Sequence, residues 1–147
     1  MIDYASILDG RIFESAIPFQ VTSEMIAAFC VAIGETSPLY TDPAAAKAGP
    51  HGGLVAPPSF AAIFGDGENI FRHYPAFDTR RLLAGIDVEF LEPIRAGDSI
   101  TTVSQVKEVY EKTGRSGAMV FIVISSILRK QTGEVAVRID QRFTNPR

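Results

Sequence analysis

Apolar residues along this chain keep a helical spacing in the first half and an alternating one in the second. Ile26, Phe29, Cys30 and Ile33 recur at i, i+3, i+4 and i+7, which places them on one face of a helix. Thr22 or Ser23 can cap its start, and Gly34 stands where a left-handed stop belongs. Asp42-Pro43 predicts a second, short helix through Ala44–Ala48, which Gly49-Pro50 ends. Pro57-Pro58 opens a third, expected to run to about Phe71. Phe60, Ile63, Phe64, Ile70 and Phe71 make it apolar on much of its circumference, the mark of a buried helix. Gly65 and Gly67 weaken its middle, so a break or kink is expected there. The first 21 residues read as irregular.

From Leu82 onward the character changes. Leu82–Leu91, Ser99–Tyr110, Ala118–Lys130 and Glu134–Phe143 are rich in Val, Ile, Thr and Phe, and Ile86, Val88 and Phe90 alternate with Asp87 and Glu89. Lys112–Gly117 and Gln131-Thr132-Gly133 read as turns between the later runs. The pattern predicts an antiparallel meander wrapped on the apolar helix. Helices precede strands, an α+β order.

Composition narrows the classes. A chain of 147 residues fits one domain over 1–147, burying roughly 68–70% of its unfolded surface. Its 46% apolar content suffices for a core, and 21% charged residues is ordinary for a folded protein. A net charge of −3 leaves no basic footprint for nucleic acid. One cysteine, Cys30, cannot form an internal disulfide and reads as a small buried hydrophobe. No apolar run approaches the roughly 20 residues of a membrane helix, and the start shows no signal region, so a cytoplasmic location is expected.

Three segments carry the candidate chemistry: Gly34–Pro43, Gly49–Phe60 and Phe90–Asp98. The first two are Gly/Pro-rich loops leading into helix starts, where free N–H groups suit a carbonyl oxygen or phosphate; each could equally be a plain connector. In this order and spacing the three resemble the MaoC-like hydratases and dehydratases. Their motif is a helix end, Asp-x-Asn-Pro-Leu/Ile-His, a short helix, a glycine loop, and a buried helix beginning near Ala-His-Gly-Met. Phe90-Leu91-Glu92-Pro93 through Gly97-Asp98 resembles the family's Phe-x-x-Pro-x-x-x-Gly-Asp. The resemblance, over roughly residues 12 to 143, implies a hot-dog fold. It also implies a homodimer, or a heteromer with a second MaoC-like subunit, and hydration of 2-enoyl or dehydration of (3R)-3-hydroxyacyl thioesters of coenzyme A or an acyl-carrier protein. No cofactor beyond that substrate is implied.

The chain departs from the motif at the reacting positions. Glu35 stands for the catalytic Asp, Ser37 for Asn and Tyr40 for His, and Ala56-Pro57-Pro58-Ser59-Phe60 replaces Ala-His-Gly-Met-Leu. These variants resemble the family's N-terminal, fatty-acid-synthase-like dehydratase branch, in which such a half often binds the acyl chain while a second half or subunit supplies Asp and His. Glu for Asp adds about 1.5 Å of reach, and misplacement near 1 Å can cost about 100-fold. A phenol ordinarily keeps its proton to about pH 10, so Tyr in place of His removes a base. Pro57 and Pro58 lack N–H groups, which leaves oxyanion donors to Ser59 onward or to the preceding loop.

The candidate catalytic residues are therefore Glu35, Tyr40 and His51, the last either a solvated loop histidine or a replacement imidazole. Ser37, Gly53, Ala56 and Ser59 are the candidate substrate-binding residues. His73 reads as a helix-end cap, and Arg72, Arg80 and Arg81 as surface charge or as contacts for a carrier's phosphates. Two distant histidines and one cysteine give no metal-ligand pattern. Three functions fit: a hydro-lyase subunit, a non-catalytic acyl-thioester-binding protein, and a thioesterase. Against the last, Asp66 and Glu68 come late on the central helix.

Overall fold

The computed structural model describes residues 3–64, 70–77, 81–115 and 117–146. Helix α1 spans Tyr4–Ile7, followed by short strands β1 (Ile12–Glu14) and β2 (Phe19–Gln20). Then come α2 (Ser23–Ile33), α3 (Pro38–Thr41) and α4 (Pro43–Ala48), 3₁₀ turns at Pro58–Ile63, Ile70–His73 and Pro75–Phe77, and the long strands β3 (Leu82–Phe90), β4 (Ser99–Gly114), β5 (Gly117–Lys130) and β6 (Val135–Pro146). All pairings are antiparallel, in the order β1-β4-β5-β6-β3, with β2 also on β4. Among the described residues no helix is long and apolar enough to cross a membrane.

Local chemistry sets the helix ends. The Thr22 hydroxyl accepts from the Met25 amide, and Gly34 closes α2 at φ 71°. The Asp42 carboxylate accepts from the Ala44 and Ala45 amides, so Asp42-Pro43 starts α4 as expected. Ile26 and Cys30 of the expected face are buried and Phe29 packs on the core. Ile33, in the last turn of α2, is the exception at 48% exposure.

Three expectations need correction. The expected α-helix from Pro57 is a 3₁₀ turn at Pro58–Ile63 with a second at Ile70–His73. The Phe60 amide donates to the Pro57 carbonyl and the Phe64 amide to the Ala61 carbonyl, the three-residue spacing of a 3₁₀ turn. The predicted break at Gly65 and Gly67, like Asp66 and Glu68, falls outside the described residues. The chain before residue 22 is not irregular: it forms α1 and two short strands that pair with β4, a signal that exists only once β4 is in place. Finally, the expected loop Lys112–Gly117 is mostly strand, since Lys112 pairs with Met119 and Gly114 with Gly117; Ser116 of that segment lies outside the described residues.

The burial prediction holds for Phe60, Phe64, Ile70 and Phe71, while Ile63 is 40% exposed. Phe60, Ala61 and Phe64 pack with Ile26, Cys30, Ile100, Leu128, Val137 and Ile139 in one cluster. Ile70, Phe71 and Phe77 join Val120, Ile122 and Ile124 in a second. The sheet thus wraps the segment after Pro57. β3, at the sheet's edge, is left open among the described residues: Ile86, Val88 and Phe90 are 43%, 36% and 53% exposed. Val88 pairs with Ile139 and Phe90 with Val137, and directly opposed residues share a face. The apolar face therefore continues past its own cover.

Candidate functional site

The site begins at the end of α2. Gly34, in the left-handed conformation, turns the chain so that the Glu35 amide donates to the Cys30 carbonyl at 2.8 Å. The Glu35 carboxylate then accepts from the Ser37 amide at 2.8 Å, the local carboxylate-to-backbone bond that opens turns. The Ser37 carbonyl in turn accepts from the Tyr40 and Thr41 amides, closing α3. Tyr40 is delivered half-buried against the first core cluster. Cys30, beneath it, donates its thiol to the Tyr40 carbonyl at 3.8 Å. Burial, aided by the Glu35 carboxylate, pushes that thiol's pKa up. Cys30 is a packing residue.

After α4 the chain passes Gly49-Pro50 to His51 and then runs under Phe90–Ile94. Val55 bridges to Arg95, and the Ala56 amide donates to the Ile94 carbonyl at 2.8 Å. Between these strands of chain lies a cleft of about 260 Å³. Its apolar lining includes Val55, Pro57, Phe90, Leu91, Ile94 and Val137; Tyr40, His51 and Glu92 are the polar residues along it.

Of the expected site residues, the cleft gathers Tyr40, His51 and Ala56. Glu35 and Ser37 lie outside its lining, tied to each other in the turn before α3. Gly53 faces the Arg95 guanidinium, which a Cβ there would meet at 3.8 Å, and Ser59 is exposed in the 3₁₀ turn. The Phe60 amide donates to the Pro57 carbonyl, and Ala56 is spoken for by Ile94. Among the described residues, Ser59 is thus the one position of 56–60 whose amide is not taken by a backbone carbonyl.

Glu92 is the cleft residue that sequence reasoning missed. It sits inside the Phe90–Asp98 segment, whose spacing was legible, but a lone Glu before a proline carries no signal of its own. Its position is fixed from both sides. The Leu91 and Glu92 amides both donate to the Ala136 carbonyl, at 2.9 and 3.1 Å. The Lys130 ammonium donates to the Pro93 carbonyl at 2.6 Å and lies 3.0 Å from the Asp98 carboxylate. Asp98 also accepts from the Arg95 amide at 2.8 Å. Asp98, the last residue of that segment, thus anchors the cleft wall.

The other titratable candidates lie elsewhere. His73 meets Arg11 at 3.4 Å and packs on the Phe13 ring. Arg81 lies over the Phe71 ring at 4.0 Å and donates to the Phe77 carbonyl, Arg72 is exposed, and Arg80 falls outside the described residues.

Comparison with known proteins adds to this geometry. The sequence profile described as the FAS1-like dehydratase domain region matches residues 8–139. A UPF0336 protein of Parafrankia sp. (strain EAN1pec) is 36% identical over 141 residues, covering 84% of this chain and 92% of the relative. Among solved structures, the C-terminally truncated HadBC complex of Mycobacterium tuberculosis, a 3R-hydroxyacyl-ACP dehydratase, aligns with a TM-score of 0.79 at 22% identity, over 92% of this chain and 95% of that one. The ChsH1-ChsH2 complex of the same organism gives 0.75 at 21%, over 95% and 86%. A MaoC-like dehydratase from Rhodospirillum rubrum gives 0.71 at 23%, over 93% of each. At these identities the likeness is one of fold, and the fold is the expected α+β hot-dog.

Proposed function

The chain belongs to the family of the FAS1-like dehydratase domain region, and on that premise we propose that it is one subunit of a hydro-lyase acting on acyl thioesters. The substrates are 2-enoyl and (3R)-3-hydroxyacyl chains on coenzyme A or an acyl-carrier protein. The carrying observation is the cleft itself, an apolar slot lined also by Tyr40, His51 and Glu92, set where the chain enters the Pro58–Ile63 turn, of which Phe60 and Ala61 are buried. Such a slot suits an acyl chain, and its few polar groups suit the carbons next to the thioester. Adding or removing water moves protons only, so the reaction asks for acid–base groups and no redox cofactor.

A second hot-dog subunit completes this reading. Among the described residues, β3 leaves one row of backbone groups unpaired and an apolar face uncovered, and an edge of this kind invites a further strand. Phe90 and Leu91, at the end of that strand, line the cleft, so the subunit that covers β3 also closes the site. Two of the structures with this fold are named complexes of paired subunits, HadBC and ChsH1-ChsH2. The partner here is a second copy or, on the replacement of the motif's His by Tyr40, a related subunit that supplies Asp and His.

The test is a 2-enoyl-CoA incubated with the purified chain, following loss of the enoyl-thioester absorbance and release of free thiol. Slow loss of the enoyl signal, below about 1 per second, without thiol release is the expected result. Thiol release would assign a thioesterase instead, and failure to bind any acyl-CoA in calorimetry would overturn the reading.

A further inference from the structure

We propose that Asp87 and Glu89, the acidic row at the open edge of β3, choose which subunit docks there: a non-identical hot-dog chain with Lys or Arg along its own edge strand. The proposal rests on the reading above, in which a second hot-dog subunit covers β3.

Past the register shift between Leu83 and Gly85, β3 pairs residue for residue with β6, from Gly85 with Arg142 to Phe90 with Val137. Successive side chains of a strand point to opposite faces. Val88 and Phe90 share their face with buried Ile139 and Val137, which puts Asp87 and Glu89 on the other. Both acids stand at the sheet's edge, with side chains 72% and 60% exposed. The cations beside them are already committed within the chain. Arg138 donates to Glu89 at 3.0 Å and Arg142 to Asp87 at 3.3 Å. The Arg142 guanidinium lies over Gly85, 2.8 Å from where a Cβ would stand. Lys107 holds Asp140, which itself opposes Asp87.

Symmetry decides what a second copy would meet. Two copies related by a two-fold axis place residue i against j and j against i, with the strands antiparallel. The apolar row Ile86, Val88 and Phe90 must stay on one face, so acids can only oppose residues of their own row. Over the regular stretch from Gly85 to Phe90, the pairings that keep most of the strand are centred on Val88 or on Asp87. The first sets Asp87 of each copy against Glu89 of the other. The second sets Asp87 against its own counterpart. Directly opposed residues have Cβ atoms about 4.5–5.5 Å apart, and like charges there destabilise the pairing. A basic row in the incoming strand reverses the sign of the same contacts. The apolar row drives association, and the acidic row decides with whom.

The experiment lets a charge-swapped copy stand in for the basic partner. The full wild-type chain is mixed in equal amounts with an Asp87→Lys, Glu89→Lys variant at about 50 μM, and native mass spectrometry counts the dimers. The mixed dimer should exceed its share under random pairing by about tenfold, from two reversed contacts. Raising NaCl from about 0.05 to 0.5 M should erode that excess by screening. The neutral variant Asp87→Asn, Glu89→Gln guards against misfolding of the swapped one, since such exposed ion pairs add little to folding. It should self-associate about tenfold more tightly than wild type. Random proportions in the mixture, or self-association unchanged in the neutral variant, would overturn selection by charge while the second-subunit reading stands. No dimer in any mixture would sink both. No substrate is present, so neither result touches binding of an acyl-CoA.

Discussion

Lys130 and Asp98 form an ion pair at 3.0 Å with both side chains about nine-tenths buried, and the same ammonium holds the Pro93 carbonyl. A buried pair broken on one side leaves an uncompensated charge, at a cost of about 3–5 kcal/mol. Lys130→Met should therefore lower the unfolding free energy, read from urea denaturation, by an amount in that range. Adding Asp98→Asn should recover part of the loss, because no bare carboxylate then remains. Equal loss in the single and double variants would mean that packing, not charge, is what Lys130 supplies.

What the sequence disclosed follows the range of the forces involved. The ends of α2 and α4 were readable because Thr22, Gly34 and Asp42 act on neighbours within a few residues. The long strands were readable from alternation and turn residues. The pairing of β1 and β2 with β4 joins residues far apart in sequence, such as Phe13 and Ser104, and left no local trace. The site divides in the same way. Tyr40 and His51 stood in recognisable loops, whereas the choice of Glu92 over Glu35 as the cleft's carboxylate depends on which wall each loop joins.

Gly34 should not tolerate a side chain. Its φ of 71° is a left-handed conformation, and nothing lies within 4 Å of the place a Cβ would take. The cost of Gly34→Ala is therefore one of backbone alone, about 1–2 kcal/mol. Gly34→Asn should cost less, since Asn visits this region more readily. Thermal unfolding of the three proteins checks the order.

Stability should decline at alkaline pH. Burial, with the hydrogen bond to Asp9, raises the Tyr74 phenol above its ordinary 10.0, and burial raises the Cys30 thiol above 9.0. Both groups hold their protons longer folded than unfolded. Their contribution is complete below the unfolded values and is lost as pH rises through the folded ones. Urea midpoints should fall from about pH 9 upward. Tyr74→Phe and Cys30→Ala should each flatten that fall, whatever they do to the midpoint at pH 7.

The open face of β3 should be where a subunit docks. Val88 and Phe90 extend the buried row of Ile139 and Val137 yet are 36% and 53% exposed. Val88→Lys places a charge in the middle of that face and should weaken association. Light scattering at micromolar concentration should show the variant shifted toward the 15.9 kDa chain mass relative to wild type. A mass unchanged by Val88→Lys would place the interface elsewhere.

The sharpest test concerns the imidazole that the motif calls for. Tyr40 lines the cleft, so Tyr40→His puts a ring that can exchange protons near neutrality where a phenol stands now. Glu35→Asp restores the motif's acidic residue, and Asp is better suited than Glu to bonding the amide two residues on, the bond Glu35 now makes to Ser37. The turn before α3 should therefore survive the change. Together the two substitutions should raise enoyl-CoA hydration at least about tenfold, the lower part of what acid–base groups supply. The oxyanion side limits the gain. Pro57 and Pro58 offer no N–H, and Ala56 is bonded to Ile94, which leaves Ser59 as the donor at that turn. Loss of enoyl-thioester absorbance for wild type, each single variant and the double separates the two effects. Wild type turning over alone above about 1 per second would remove the need for a partner's Asp and His.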